Sequence, residues 1–159
     1  MKISIIAAGK LKEKYLKEGI EEYSKRLSRF CDLEVLEVED EQAPDNLSPA
    51  QELQVKRKEA DRIIKRIKPG ATLIALEVKG DKPCSEGLAA KLEAFFVSGS
   101  SHLTFIIGGS LGLDSELAGM AAYKLSLSNL TFPHQLTRLI LLEQLFRAFK
   151  IINGEKYHK

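Results

Sequence analysis

Residues 123–159 of this 159-residue chain read YKLSLSNLTFPHQLTRLILLEQLFRAFKIINGEKYHK. The pattern predicts a short strand, a loop, a long apolar helix that ends near Asn153-Gly154, and a polar tail. A second unusual stretch, LTFIIGGSLGLDSE at residues 103–116, predicts a buried strand that leads directly into a glycine-rich loop. We expect these two segments to form a binding pocket together.

The chain before residue 123 alternates between strand and helix patterns. Strands are predicted at residues 2–8, 33–38, 72–78 and 103–107, and helices at residues 13–29, 49–67 and 86–97. The second helix has a capping-box start, with Ser48 as the cap, Pro49 at the first helical position and Gln51 three residues after the cap. Because parallel strands need crossover helices, this order predicts an α/β fold, a single-domain, mostly parallel sheet flanked by helices. The length suits one domain, which we assign to residues 1–159.

The composition is that of a soluble globular protein. Hydrophobic residues make up 44% of the chain and charged residues 29%, which argues against disorder. No segment has the length expected of a signal peptide core or a membrane span, so we expect no membrane partner. The two cysteines, Cys31 and Cys84, form no CxxC motif, which favours a reducing cytoplasm. No cluster has the spacing of metal ligands, and we expect no metal.

Basic residues are concentrated in two places. Four lysines fall between residues 10 and 17, and seven lysines and arginines between residues 56 and 68. Acidic residues are interleaved with both groups, so a solvated face is the ordinary interpretation. The net charge of +2 therefore permits binding to nucleic acid but does not indicate it.

Two loops are candidates for a binding site. GGSLG at residues 108–112 follows a predicted strand, where glycines allow the backbone to approach a ligand closely. This loop matches neither a P-loop nor the GxGxxG fingerprint, and a simple turn would also explain it. Ligands of open parallel sheets nevertheless bind beyond the carboxyl ends of strands. SLSNLTF at residues 126–132 is either the last strand or a backbone clamp around a flat heterocycle, with Leu127 and Leu130 as apolar walls.

The last predicted helix, residues 135–152, has more apolar residues than a single stripe against a sheet requires. It is either buried within the subunit or contacts a second subunit, and we favour a symmetric homodimer. Glu143 and Arg147 are four residues apart on this helix and form either a surface ion pair or a buried functional pair. His134 and His158 are candidates for acid–base chemistry because the pKa of histidine lies near neutral pH.

Four segments carry a family resemblance: KISIIAAGKLKEKY, IIGGSLGL, SLSNLTFPHQLTR and LLEQLFRAFKIINGEKYHK. With these segments the whole chain resembles the bacterial ribosomal large-subunit RNA methyltransferase H family, of the SPOUT class. The resemblance implies a C-terminal trefoil knot, S-adenosyl-L-methionine as the cofactor, and methylation of N3 of a pseudouridine in 23S rRNA. The expected partners are 23S rRNA in the large subunit or whole ribosome and a second copy of the chain, without DNA.

The resemblance also implies roles for individual residues. The cofactor would be held by Leu76, Gly108, Leu127, Ser128, Asn129, Leu130, Thr131 and Phe132. The catalytic candidates are His134, Arg138, Tyr157 and His158. Arg138 would stabilise the anionic ring, and one of the two histidines would take the N3 proton. The tail with Tyr157 and His158 would come from the same subunit or from its partner.

Two other functions stay open on the sequence alone. A non-catalytic RNA- or ribosome-binding module on the same fold would have no affinity for S-adenosylmethionine. A small nucleotide-binding hydrolase would use the glycine-rich loop for phosphates. The hydrolase ranks last because the sequence offers neither the lysine nor the metal cluster that phosphates require.

Overall fold

The computed structural model describes residues 1–157, in which five strands and five helices alternate along the chain. In order they are β1 (Lys2–Ala8), α1 (Lys14–Leu27), β2 (Asp32–Val38), α2 (Pro49–Ile64), β3 (Thr72–Asp81), α3 (Ser85–Val97), β4 (His102–Ile107), α4 (Ser115–Gly119), β5 (Tyr123–Leu125) and α5 (His134–Ile152). The segment SLSNLTF is therefore a loop, because the last strand ends at Leu125 before it begins.

The five strands form one sheet in the order β2-β1-β4-β3-β5, and every pairing is parallel. The carboxyl ends of all strands consequently lie at the same edge. The glycine-rich loop after β4 and the loop after β5 both leave from that edge. The α/β prediction with a mostly parallel sheet is confirmed.

Alternate residues of the central strands pack on opposite faces of the sheet. Ile5 and Phe105 join a core cluster with residues of α1, α3 and α5. Ile6 and Ile106 join a second cluster with Ile63 of α2 and residues near α4. Both faces are thus covered, which explains why these strands are almost continuously apolar.

Helix α5 lies against α1 and α3 on one face of the sheet. Its Phe149 ring stacks on Phe30 at 5.6 Å between centroids, and Phe146 packs edge-on against Tyr23 at 6.2 Å. A Cβ atom at Gly19 of α1 would lie 3.0 Å from the side chain of Leu139, so the two helices approach closely there. No residue of α5 is fully exposed, although some of its apolar side chains, among them Leu136 and Ile140, are only partly buried.

Helix α2 covers the opposite face and begins at the predicted capping box. The Ser48 hydroxyl accepts a hydrogen bond from the Gln51 amide at 3.2 Å, and the Gln51 side chain accepts one from the Ser48 amide at 2.8 Å. The first turns of α2 are exposed, and its first fully buried residues are Glu59 and Ala60. Glu59 is thereby brought to the sheet edge at which the glycine-rich loop begins.

Candidate active site

A cavity of about 680 Å³ opens at the carboxyl edge of the sheet, a volume ordinary for a cofactor or small-ligand site. Its walls come from the ends of β3 and β4, the glycine-rich loop 108–112, the loop 126–133 and the first turn of α5. Both loops that the sequence marked as candidates therefore contribute to one cavity. Their meeting follows from the strand order, which places β3 between β4 and β5.

The glycine-rich loop is folded back tightly on itself. The Gly112 amide donates to the Gly109 carbonyl at 3.0 Å, and Gly112 has a φ of 85°. A Cβ atom at Gly108 would lie 2.5 Å from the carbonyl carbon of Gly112. Position 108 accepts only glycine in this conformation, because the contact is with backbone rather than with a side chain that could turn away.

The loop after β5 is held by a backbone hydrogen bond to the end of β3 and by hydrogen bonds within the loop itself. The Ser126 amide donates to the Asp81 carbonyl at 2.8 Å, and the Ser126 hydroxyl donates to the Ser128 carbonyl at 2.9 Å. The Ser128 hydroxyl accepts from the Leu130 amide at 3.0 Å. Both serine hydroxyls are thus hydrogen-bonded within the loop, and the loop presents a largely apolar wall to the cavity. Leu127 packs on the core, whereas Leu130 is 71% exposed.

Most residues expected at the cofactor site lie in the cavity wall. Those that line it are Leu76, Gly108, Leu127, Ser128, Leu130, Thr131 and Phe132. Asn129 belongs to the same loop but is not part of the wall. The sequence reasoning missed Glu77 and Val78, which continue β3 past Leu76, and Thr137 one turn into α5. Their positions beside residues already suspected were the available signal.

His134 stands at the edge of the cavity as the first residue of α5. Its Nε2 atom would lie 3.1 Å from a Cβ atom at Gly9, so the imidazole packs directly on the turn after β1. Burial lowers the pKa of His134 below its ordinary value of 6.5, and the nearby positive charges of Arg138 and Lys12 lower it further, whereas Asp40 raises it. The imidazole is consequently neutral at pH 7 and able to accept a proton.

Arg138 has no exposed surface and does not line the cavity. Its guanidinium donates to the carbonyls of Ala8 and Gly9 at 3.2 and 2.5 Å and to the Glu37 carboxylate at 3.1 Å. Glu37 also accepts from the Leu11 amide at 3.3 Å. Arg138 therefore fixes the turn on which His134 packs.

Tyr157 lies at the other end of α5. Its hydroxyl donates to Glu143 at 3.2 Å, and the same carboxylate accepts from Arg147 at 2.8 Å. Its ring packs edge-on against Phe146 at 5.0 Å. Burial, with contributions from Tyr23 and Glu143, raises the pKa of Tyr157 to about 12, so the phenol is a hydrogen-bond donor at neutral pH. His158 lies outside the residues that the structure describes.

Residues 1–157 contain no group of three or more histidine, cysteine or acidic side chains placed to hold a metal ion. Within the same range, no helix has the length and apolar character needed to cross a bilayer. The cavity is built from backbone and from apolar and hydroxyl side chains, with Glu77 and His134 as the ionisable residues of its wall.

A loop-built cavity at the carboxyl edge of a parallel sheet lies where open α/β sheets bind their ligands. The family model described as "Predicted SPOUT methyltransferase" matches residues 1–158. This chain belongs to the SPOUT methyltransferase family, and the resemblance expected from the sequence is confirmed.

The names of individual relatives are more specific than the description of the family. This chain is 69% identical to the ribosomal RNA large subunit methyltransferase H of Acetivibrio thermocellus, 61% to that of Ruminiclostridium cellulolyticum and 56% to that of Alkaliphilus oremlandii, over 100% of each chain. A solved structure of a methyltransferase from Legionella pneumophila in complex with S-adenosylmethionine has a TM-score of 0.51 and 12% identity over 93% of this chain and 66% of that one. At that identity the likeness supports the fold alone.

Proposed function

We propose that this protein transfers a methyl group from S-adenosyl-L-methionine to N3 of a pseudouridine in 23S rRNA, on the assembled large subunit or ribosome. The observation that carries the proposal is the cavity between the glycine-rich loop and the loop 126–133, with the neutral His134 at its edge. The names of relatives at 56–69% identity support ribosomal RNA as the substrate class. Pseudouridine and its N3 position rest on the family resemblance.

The residues of the cavity fit S-adenosylmethionine. Apolar walls from Leu76 and Leu127 suit an adenine ring, and the close-packed glycines expose backbone groups for its polar edges. The amino-terminal end of α5, at His134 and Thr137, carries the positive end of the helix dipole and suits a carboxylate. When bound, the cofactor supplies an electrophilic methyl group.

His134 is the residue to which we assign the N3 proton. An imide nitrogen is a poor nucleophile while it is protonated, so a neutral imidazole at the cavity edge would accelerate the reaction as a general base. Arg138 would act on the ring through its positive field and through the Gly9 turn, since its two terminal nitrogens donate to backbone carbonyls and to Glu37, while its Nε is buried without a partner among the described residues. We therefore propose Arg138 as a positioning residue.

Tyr157 belongs to the proposed site only if two subunits share it. Its partner Glu143 is nine residues beyond His134, about 14 Å along the helix axis at 1.5 Å per residue. One substrate nucleotide cannot contact both ends within one subunit. A symmetric homodimer that sets the tail of one subunit beside the cavity of the other would bring them together.

The first lysine cluster suits an RNA substrate. Lys10, Lys12 and Lys17 are exposed and make no ion pair within the described part of the chain. The Lys12 amide donates to the Gln135 side chain at 3.1 Å, which ties this loop to the start of α5. These lysines therefore flank the proposed methyl-transfer site, where they would contact phosphates.

We also propose that the C-terminal segment forms the trefoil knot implied by the family. The loops 108–112 and 126–133 would then be the crossings through which the chain passes. This proposal rests on the family resemblance.

The test is transfer of labelled methyl from S-adenosylmethionine to ribosomes and to naked 23S rRNA from a strain that lacks the modification. Label at N3 of a pseudouridine is the expected result, with ribosomes the better substrate. Stoichiometric RNA binding without cofactor binding or label would favour the non-catalytic RNA-binding module. Label at another nucleotide would contradict the assigned substrate.

A further inference from the structure

Glu59 is a buried carboxylate for which the proposed chemistry has no use. Only 4% of its surface is exposed. Its helix α2 lies on the sheet face opposite to α5. Glu59 is not part of the cavity wall, but Gly109, which is, lies directly against it. A Cβ atom at position 109 would stand 2.8 and 2.9 Å from the two carboxylate oxygens.

The carboxylate connects two backbone segments. Its Oε1 atom accepts a hydrogen bond from the Glu41 amide at 3.1 Å, in the link between β2 and α2. The Gly109 backbone amide also stabilises the charged form, although Oε2 completes no hydrogen bond among the described residues. Gly109 in turn accepts from the Gly112 amide at 3.0 Å, so a shift of Gly109 moves the rest of the loop.

For stability alone, a carboxylate is a poor choice at this position. Burying a charge is costly unless a cation compensates it, and no cation pairs with Glu59 in residues 1–157. The nearby Arg62 pairs with Glu41 instead. Burial raises the pKa of Glu59, and the negative charges of Asp40 and Glu41 raise it further. A neutral side chain of the same size would avoid these costs.

We propose that Glu59 is a positioning residue of the cofactor pocket, whose carboxylate holds the Gly109 backbone and so sets the shape of the loop 108–112. The inference rests on the proposed function, because it assigns a purpose to the same pocket. The inference extends the proposed site by Glu59, a residue on the opposite side of the sheet that would touch neither cofactor nor substrate. A carboxylate serves here because one of its oxygens accepts from the Glu41 amide while the group as a whole lies against the Gly109 backbone.

The test compares Glu59→Gln with wild type and with Glu52→Gln, a control at an exposed position in the first turn of the same helix. Calorimetry measures the affinity for S-adenosylmethionine and for S-adenosylhomocysteine, and thermal unfolding measures Tm. Glutamine has one acceptor oxygen, so its NH₂ group must face one of the two amides. We expect Glu59→Gln to bind both ligands roughly tenfold more weakly, because the charged oxygen that lies against the Gly109 backbone is replaced or displaced by an NH₂ group. Its Tm should be unchanged or higher.

A merely structural role would lower Tm and affinity together, and that result would overturn the proposal. Wild-type affinity in Glu59→Gln would overturn it as well. A loss confined to S-adenosylmethionine would do the same, because the charge would then act on the sulfonium and not on the loop. Gly109→Ala, which pushes on the carboxylate from the loop side, should reproduce the loss for both ligands. Failure of the wild-type protein to bind either ligand would instead contradict the proposed function.

Discussion

The two ends of α5 are built in different ways. At the amino-terminal end, His134 and Thr137 complete a cavity whose other walls are mostly backbone and apolar side chains. Toward the carboxyl-terminal end, Glu143, Arg147 and Tyr157 form a network of side-chain hydrogen bonds. In the proposed homodimer, the first end would hold the cofactor, and the second would add charged and phenolic groups to the site of the partner subunit.

The largest effect is expected at the cofactor end, from Gly108→Ala. A Cβ atom there would meet the Gly112 backbone at 2.5 Å, so the loop has to move. We expect the affinity for S-adenosylmethionine, measured by calorimetry, to fall about 100-fold or more. Gly119→Ala is the matched control, because a Cβ atom at position 119 would meet nothing within 4 Å. Near-normal binding by Gly108→Ala would mean that the cofactor lies elsewhere.

The second prediction tests whether the two ends act on the same nucleotide. His134→Ala and Tyr157→Phe should each slow single-turnover methyl transfer, His134→Ala by about 100-fold because it loses a general base. If the site is shared between subunits, a heterodimer of a His134→Ala subunit and a Tyr157→Phe subunit contains one site in which both residues are wild type. Random mixing of the two variants should then restore about a quarter of the wild-type active sites.

Mixing would restore nothing if both residues served a site within one subunit. The control is a mixture of His134→Ala with itself, taken through the same exchange procedure. Recovery no greater than in this control, despite proven subunit exchange, would contradict the shared site.

The difference between the two ends also explains what could be predicted from the sequence. The order of strands and helices followed from hydrophobic periodicity, and the capping box at Ser48 fixed the start of α2. The cavity-lining loops could be identified because glycines and alternating serines are local signals. The long-range contacts could not: nothing in the sequence pairs Arg138 with the carbonyl of Gly9, or Glu59 with Gly109. These contacts depend on how strands far apart in sequence are ordered in the sheet.

The third prediction concerns Arg138, which links α5 to the end of β1. Arg138→Leu removes the donors to the carbonyls of Ala8 and Gly9 and leaves them buried without partners. We expect the free energy of unfolding, measured in urea, to fall by about 3 kcal/mol. Arg26→Leu breaks an exposed pair with Glu22 and should cost far less, because water screens exposed ion pairs. Equal losses in the two variants would show that the buried network does not hold the turn.

A smaller effect is expected from the lysines beside the amino-terminal end of α5. A triple substitution of Lys10, Lys12 and Lys17 by alanine should weaken RNA binding. It should also reduce the slope of the logarithm of the binding constant against the logarithm of salt concentration by up to about 3, for three phosphate contacts. The control replaces three basic residues that precede β3 and are not part of the cavity wall: Lys65, Arg66 and Lys68. An equal reduction in slope for the control would mean that the RNA does not approach from the cavity side.

The smallest effect is a shift in the pH dependence of methyl transfer. Because the pKa of His134 lies below 6.5 in the folded protein, the imidazole stays neutral at pH 7 and becomes protonated only at lower pH. The single-turnover rate should therefore be constant near neutral pH and fall on the acidic side of pH 6.5. Lys12→Ala removes a positive charge that lowers this pKa and should move the fall to slightly higher pH. Asp40→Asn removes a negative charge that raises the pKa and should move it the other way. If neither variant moved the acidic limb while both kept wild-type cofactor affinity, the titrating group would not be His134.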